Sequence, residues 1–350
     1  AKGIQIQIQH AASLGGEPQR KSGCSSRCTH TAHGGGEAGC LGLLVVVAEA
    51  DEQVVVGIAW RESLNGSSYL GTYKAIEAIG AKPILLGQVC STDLTYTDGQ
   101  IDSRHIDEND ILLTDDAAKV KTYTHRHSNA AEVMKGIDAV VFTGGEDISP
   151  TLFKEVKEWH GIEAEKDYNP TRDVSDYVLL SYCIDNDIPT LCICRGAQML
   201  GVVSGAELIQ DIPTYYAEQG ITYDYSHRCN KADSLAKKDY VSHAAVTTRK
   251  NSIYYQIVQT DTLAGCPSWH HQAISDLSLT EAVATAVTTS QGVEIVEALE
   301  RSDKRFVLGV QFHPEIVMVK REQNASNLDD YMDYTTTLSF FEALARATQQ

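Results

Sequence analysis

Ile188-Pro-Thr-Leu-Cys-Ile-Cys-Arg-Gly-Ala-Gln-Met-Leu-Gly201 is the stretch whose reading decides the fold. After Pro189 comes a short apolar run, Thr190 to Ile193, which predicts a buried strand. From Arg195 onward, Ala197, Met199, Leu200 and Val203 fall at the spacing of a partly buried helix. Between the two stand Cys194 and, two residues on, Gly196. A strand that enters a helix through Cys-x-Gly resembles a nucleophile elbow, a tight turn that lifts a reactive side chain above the sheet edge. A thiol at a helix N-terminus faces unpaired N–H groups and the positive end of the dipole, which favours its thiolate. The alternative is a buried structural cysteine. The partners found elsewhere in the chain count against it.

Upstream, Val54 to Trp60 reads as a buried strand, Tyr69 to Ile79 as a helix closed by Gly80, and Pro83 to Leu86 as the next strand. That is a βαβ unit and predicts a parallel sheet covered by helices. Residues 89–124 are polar and irregular, which suggests a long surface excursion. Asn129 to Lys135 reads as a helix. Ala139 to Phe142 is a strand running into Thr143-Gly-Gly-Glu-Asp-Ile-Ser-Pro150, where glycine amides can face an oxyanion. Arg172 to Ile184 is a helix that leads to the elbow strand.

Downstream, Gln210 to Pro213 closes a loop and residues 214–240 are polar. Ala244 to Thr248 reads as a strand and Ser252 to Val258 as a short helix. Ser268-Trp-His-His-Gln-Ala-Ile274 places two histidines and a glutamine on a loop. Three β-rich segments follow, Val283 to Thr288, Val293 to Leu299 and Arg305 to Phe312. The last delivers His313-Pro-Glu315, in which Pro314 keeps His313 out of the helical region. In an extended segment residues i and i+2 share a side, so the Glu315 carboxylate is expected to fix the His313 tautomer and stabilise its charged form. A helix from about Leu328 to Ala347 ends the sequence. His105, His125, His127, His160 and His243 are expected at the surface.

A formal charge of −18 over 350 residues argues against nucleic acid. No apolar run reaches the roughly 18 residues of a membrane span. Nine irregularly spaced cysteines do not form a disulfide framework, so a reducing, cytoplasmic setting is expected. Residues 1–52 read as an appendage of unknown role before a domain at 53–350. Their opening, Gly3 to His10, alternates like a strand. Their Cys24, Cys28, His30, His33 and Cys40 do not follow a standard zinc spacing. Cys40 to Ala50 reads as a strand or appendage, and its Ala-x-Ala ending leaves export as the alternative to the cytoplasm.

Together these segments resemble the class I glutamine amidotransferase-like proteins, and within them the gamma-glutamyl-gamma-aminobutyrate hydrolase group, peptidase family C26. The residues that carry the resemblance are Val56 to Arg61, Phe142 to Pro150, Arg172-Asp173, Cys192 to Gln198, Gln210 to Ile212, His270 to Ala273 and Gln311 to Glu315. The resemblance implies a flavodoxin-like, doubly wound α/β fold with a mostly parallel sheet and helices on both faces. It implies a Cys194, His313, Glu315 triad and oxyanion donors at the backbone N–H groups of Gly145 and Arg195. It further implies contact of Gln198 with the glutamyl group, and a pocket lined by the His271-Gln272 loop. Four features depart from the family: Cys192 stands for a glycine, Asp176 for a glutamate, Gly201 and Ser204-Gly-Ala-Glu207 for an Asn and a Gly-Gly-Thr turn, and the first fifty residues match nothing in it.

The leading expectation is a hydrolase that cleaves a gamma-glutamyl amide through a gamma-glutamyl thioester, with no metal or organic cofactor required. Its partner is a small gamma-glutamyl molecule, without nucleic acid or membrane, and a homo-oligomer stays open. A glutaminase subunit that supplies ammonia to a separate synthetase is the second reading. A catalytically weakened binding or assembly protein of the same fold is the third.

Overall fold

The computed structural model describes residues 53–154, 159–231 and 233–350. The readings made for the N-terminal 52 residues lie outside the described part. Within it, a nine-stranded sheet runs in the order Lys82–Leu85, Val55–Ile58, Ala139–Phe142, Thr190–Ile193, Val307–Val310, Val293–Glu300, Val283–Ser290, Val241–Thr247, Thr262–Ser268. The first five strands are parallel to one another. The remaining four continue the sheet in antiparallel register. The expected doubly wound parallel sheet is therefore present, and the β-rich second half adds an antiparallel wing to its edge.

Parallel strands are covered on both faces and read as continuous apolar runs, as Ala139–Phe142 and Thr190–Ile193 do. Their side chains alternate between two cores. Phe142 and Cys192 point into one with Val178, Met199 and Leu200, from the helices Pro170–Asp185 and Arg195–Val203. Val141, Leu191 and Ile193 point into the other with Ile76, Phe340 and Phe341, from Ser67–Ala78 and Tyr334–Ala347. Strand order reverses between Val55–Ile58 and Ala139–Phe142. Open α/β sheets bind ligands at the carboxyl ends of the strands beside such a reversal. Thr143, Cys194 and His313 all follow carboxyl ends of parallel strands in that region.

Several boundaries differ from expectation. The excursion at 89–124 holds a two-stranded hairpin, Tyr96–Thr97 with Gln100–Ile101, and a helix at Thr114–Tyr123. The helix expected over Asn129 to Lys135 is a single turn, Ala130–Val133. Thr262–Ser268 was not foreseen as a strand, because it contains Gly265 and Pro267. As an edge strand it tolerates both. The final helix starts at Tyr334, where Asp333 caps it by accepting from the Thr336 N–H. Leu70 is exposed, and the buried face of its helix carries Ser68, Tyr69, Gly71, Thr72, Ala75 and Ile76. Among the described residues no helix is long and apolar enough to cross a membrane.

Candidate active site

Cys194 is the N-cap of the helix Arg195–Val203, with φ 53° and ψ −106°. A non-glycine residue in that region stores of order 1–3 kcal/mol and persists only where its surroundings dictate it. They do so here: the Cys194 N–H donates to the Val310 carbonyl at 2.8 Å, and its own carbonyl accepts from the Gln198 N–H at 3.0 Å. Gly196 lets the new helix pass over the neighbouring strand, since a Cβ there would lie 2.7 Å from the Phe142 carbonyl oxygen. The elbow inferred from Cys-x-Gly is formed. Cys192 sits two residues earlier, fully buried in the opposite core from Cys194. Burial, with Cys183 and Asp176 nearby, drives its thiol well above the usual range, so Cys192 stays protonated and packs as a small apolar residue.

His313 approaches the thiol from the end of Val307–Val310, its N–H anchored on the Pro267 carbonyl at 2.7 Å. Its Nδ1–H donates to Glu315 Oε1 at 2.8 Å, which leaves Nε2 for Cys194. Burial alone would lower the imidazole pKa. The Cys194 thiolate and Glu315 carboxylate outweigh it, and His313 lies well above the ordinary histidine value. The His313–Glu315 contact was expected, but its geometry was not: Glu315 adopts φ −65° and ψ −20° in a tight turn that opens the helix Ile316–Glu322. The turn, rather than extended alternation, brings the carboxylate back to the ring.

Sequence reasoning missed Ser68. Its hydroxyl donates to Glu315 Oε1 at 2.7 Å and accepts from the Gly144 N–H at 3.2 Å. One side chain thus ties the acid to the glycine turn. Gly71, one helical turn later, allows the approach, because a Cβ there would lie 2.3 Å from the Glu315 carbonyl oxygen. Hydrogen bonds to charged groups contribute about 1.5–3 kcal/mol. Ser68→Ala is accordingly expected to lower kcat about tenfold or more, with KM nearly unchanged. Steady-state kinetics at one pH check this, and an unaltered kcat would mean that the turn alone holds Glu315.

The Thr143–Glu146 turn is fixed from beneath by charge. Arg172 donates through Nη2 to the Thr143 and Gly144 carbonyls at 2.9 and 3.0 Å, and through Nη1 to Glu146 Oε2 at 2.5 Å. Arg195 donates to Asp173 at 2.6 Å and to Asp176, on which Arg172 Nε also converges at 3.4 Å. Both arginines and both aspartates are essentially inaccessible. Asp176 is one methylene shorter than the family's glutamate, yet it reaches both guanidinium groups. Gly145 has no room for a side chain, since a Cβ would lie 1.8 Å from Arg172 Nη1. Among the described residues no hydrogen bond takes the Gly145 or the Arg195 backbone N–H. Both amides belong to the turns that flank Cys194, which is what an oxyanion needs.

A pocket opens beside Cys194, lined by Gly145, Gln198, His270, His271 and Gln272 together with charged residues. The predicted substrate-facing residues therefore do come together, with different roles. Gln198 is oriented by its Nε2, which donates to the Gln272 carbonyl at 2.9 Å. His271 forms wall rather than contact: Nε2–H donates to Asp147 at 2.8 Å and Nδ1–H to Asp211 at 3.1 Å, so neither ring nitrogen is left for a substrate. Burial opposes its charge, but the two carboxylates outweigh burial and raise its pKa. The charged lining went unforeseen. Glu146 and Asp167 face the pocket, as do Arg228 and Lys231, both paired with Glu165 at 2.8 Å. Burial opposes ionisation of Glu146, but Arg172 and Arg195 hold it down at about 2. Such residues lie in loops whose sequence carries no period. The surface assignment of His243 and His105 is corrected: their side chains are only 6% and 11% exposed. His105 is enclosed by its contact with Asp116 at 2.9 Å.

A strained cysteine at a strand–helix elbow, a histidine–glutamate pair and a glycine turn at the carboxyl ends of parallel strands define a cysteine-type hydrolase of the class I glutamine amidotransferase-like kind. The Peptidase C26 family pattern matches residues 120–315, and the chain belongs to that family. It is 30% identical over 187 residues to Protein NtpR of Enterococcus hirae, covering 53% of this chain and 70% of that protein. It is 29% identical over 250 residues to the Rickettsia prowazekii protein named Putative glutamine amidotransferase-like protein, covering 62% and 79%. Among solved structures, the Trypanosoma brucei CTPS glutaminase domain with bound acivicin aligns with a TM-score of 0.46 at 18% identity, over 84% of this chain and 94% of that one. The activity is of the cysteine amidase, glutaminase-like type.

Proposed function

We propose that the protein hydrolyses gamma-glutamyl amides, releasing glutamate and an amine. The observation that carries this reading is the juxtaposition of the Cys194–His313–Glu315 arrangement with a pocket that offers both signs of charge. A glutamyl group ends in an α-ammonium and an α-carboxylate. Glu146 and Asp167 suit the first, and Arg228 and Lys231 the second. In the reaction His313 Nε2 holds the proton of the Cys194 thiol, and Sγ attacks the amide carbonyl. The oxyanion rests against the Gly145 and Arg195 N–H groups. As the C–N bond breaks, His313 gives its proton to the departing amine. A water molecule then attacks the thioester, passes its proton to His313, and frees glutamate and the thiol.

The second reading, a glutaminase that delivers ammonia to a partner, is favoured by the names of relatives such as the Rickettsia prowazekii protein. The two differ in what the leaving group contributes. Each buried methylene of an amine adds about 0.8 kcal/mol, which raises kcat/KM when the contact persists in the transition state. The test compares kcat/KM for gamma-glutamyl-aminobutyrate and for glutamine with purified protein alone. A higher value for the amide of the larger amine is expected. Equal values, or a preference for glutamine that grows when a second protein is added, would favour the glutaminase.

A further inference from the structure

The antiparallel wing buries a second polar cluster that the proposed reaction does not use. His227 comes from the loop after Tyr223, His243 from Val241–Thr247, His270 from just beyond Thr262–Ser268, and Glu297 from Val293–Glu300. One nitrogen or oxygen of each lies within 4.8 Å of those of the other three. His227 and Glu297 are wholly inaccessible, and His243 and His270 are nearly so. The hydrogen bonds fix two of the tautomers. His270 Nδ1–H donates to the Gln272 carbonyl at 2.8 Å, and His243 Nδ1–H donates to Thr288 Oγ1 at 3.0 Å. A neutral imidazole with its proton on Nδ1 carries a bare lone pair on Nε2.

Those two Nε2 atoms, both ring nitrogens of His227 and both oxygens of Glu297 are buried and have no hydrogen-bond partner. Among the described residues no Lys or Arg pairs with Glu297, whose ion-pair neighbours are His227 and His243 alone. Three imidazoles and a carboxylate that face one another in the interior without a hydrogen bond between them form a costly arrangement. A cation removes that cost. His227 Nδ1 and His243 Nε2 stand 3.3 and 3.5 Å from Glu297 Oε1. Ligands held tetrahedrally at zinc's bond lengths of about 2.0–2.1 Å are about 3.3–3.4 Å apart. Outer partners on the Nδ1 side, here a carbonyl and a hydroxyl, are the support that ligating histidines normally have.

We propose that His227, His243, His270 and Glu297 bind one divalent transition-metal ion, zinc being the ion that best suits a closed set of three imidazoles and one carboxylate. With four protein ligands and almost no exposure to solvent, the site is structural. It ties together the wing strands and the His270–Gln272 loop, whose Gln272 carbonyl also holds Gln198 in the pocket wall. No step of amide hydrolysis passes through it, so the site stands or falls independently of the substrate.

The test uses the full chain, purified without a metal-affinity step, and reads metal content by mass spectrometry. The protein is then stripped with a chelator and refilled with cobalt(II). About one equivalent of metal per chain is expected, with visible cobalt bands of four-coordinate intensity and no thiolate-to-cobalt charge transfer. Glu297→Gln and His243→Gln should each lower cobalt occupancy at least tenfold, whereas Cys194→Ala should leave it unchanged. If either variant fails to fold, the wild-type cobalt spectrum decides. Absence of stable binding to wild-type protein overturns the proposal and leaves a proton shared among Glu297 and the imidazoles. Bands showing thiolate ligation, or occupancy untouched by both variants, overturn it by placing the metal elsewhere.

Discussion

Cys194→Ala eliminates turnover, by on the order of 10⁴-fold or more, while leaving the melting temperature close to that of the wild type. The size follows from the role proposed for the thiol: a covalent nucleophile working as a unit with its base leaves little behind when removed. The unchanged stability follows from the backbone. Cys194 holds φ at 53° because the sheet and helix on either side dictate it, and alanine bears the same strain. Cys194→Gly, which relieves it, should be as inactive and slightly more stable than the alanine variant. Kinetics with a gamma-glutamyl amide and thermal melts of all three proteins check both halves. Cys192 supplies the control, because its thiol is buried in the opposite core. Loss of activity in Cys192→Ala with survival in Cys194→Ala would mean that the nucleophile has been misassigned.

The second large effect concerns Asp176, where two buried guanidinium groups share one carboxylate. Asp176→Ala removes the anion and keeps the cations, and an uncompensated buried charge costs about 3–5 kcal/mol. Urea unfolding should therefore show a loss in that range, large against the 5–15 kcal/mol of a typical domain. Activity should fall as well. Arg172 holds the Thr143 and Gly144 carbonyls, and any shift of its side chain turns the Gly145 N–H away from the position proposed for the oxyanion. The signature is a lower kcat with little change in KM. A stability loss below about 1 kcal/mol would mean that Asp173 and Glu146 suffice to neutralise both arginines.

Much of this architecture was legible in the chain because it rests on local pattern. Apolar runs of four residues, helices of period 3.6 and glycines at strand ends are properties of neighbours in sequence, and they placed the parallel strands, the elbow and the Thr143–Pro150 turn. The same reasoning failed where a residue's environment comes from distant segments. Ser68 looks like a solvent-facing serine of a helix start, yet it contacts Glu315, 247 positions away. His243 alternates on a strand as a polar, outward residue would, yet Thr288, Glu297 and His227 enclose it. His271 lies in the pocket wall, where its two carboxylate partners arrive from loops at 147 and 211.

The sequence by itself determined the α/β class, the strand that ends in Cys194 and the pairing of His313 with Glu315. Each depends on backbone preferences and side-chain spacing within a few residues. Only the tertiary structure decided that Glu315 reaches its histidine through a turn, that Cys192 faces away from Cys194, and that Arg172 and Arg195 share Asp176 beneath the glycine turn. Those outcomes depend on which buried charges and hydrogen-bonding groups meet when the sheet closes. Chain-distant groups must satisfy one another there, since water is excluded and an unpaired one costs as much as several good contacts provide.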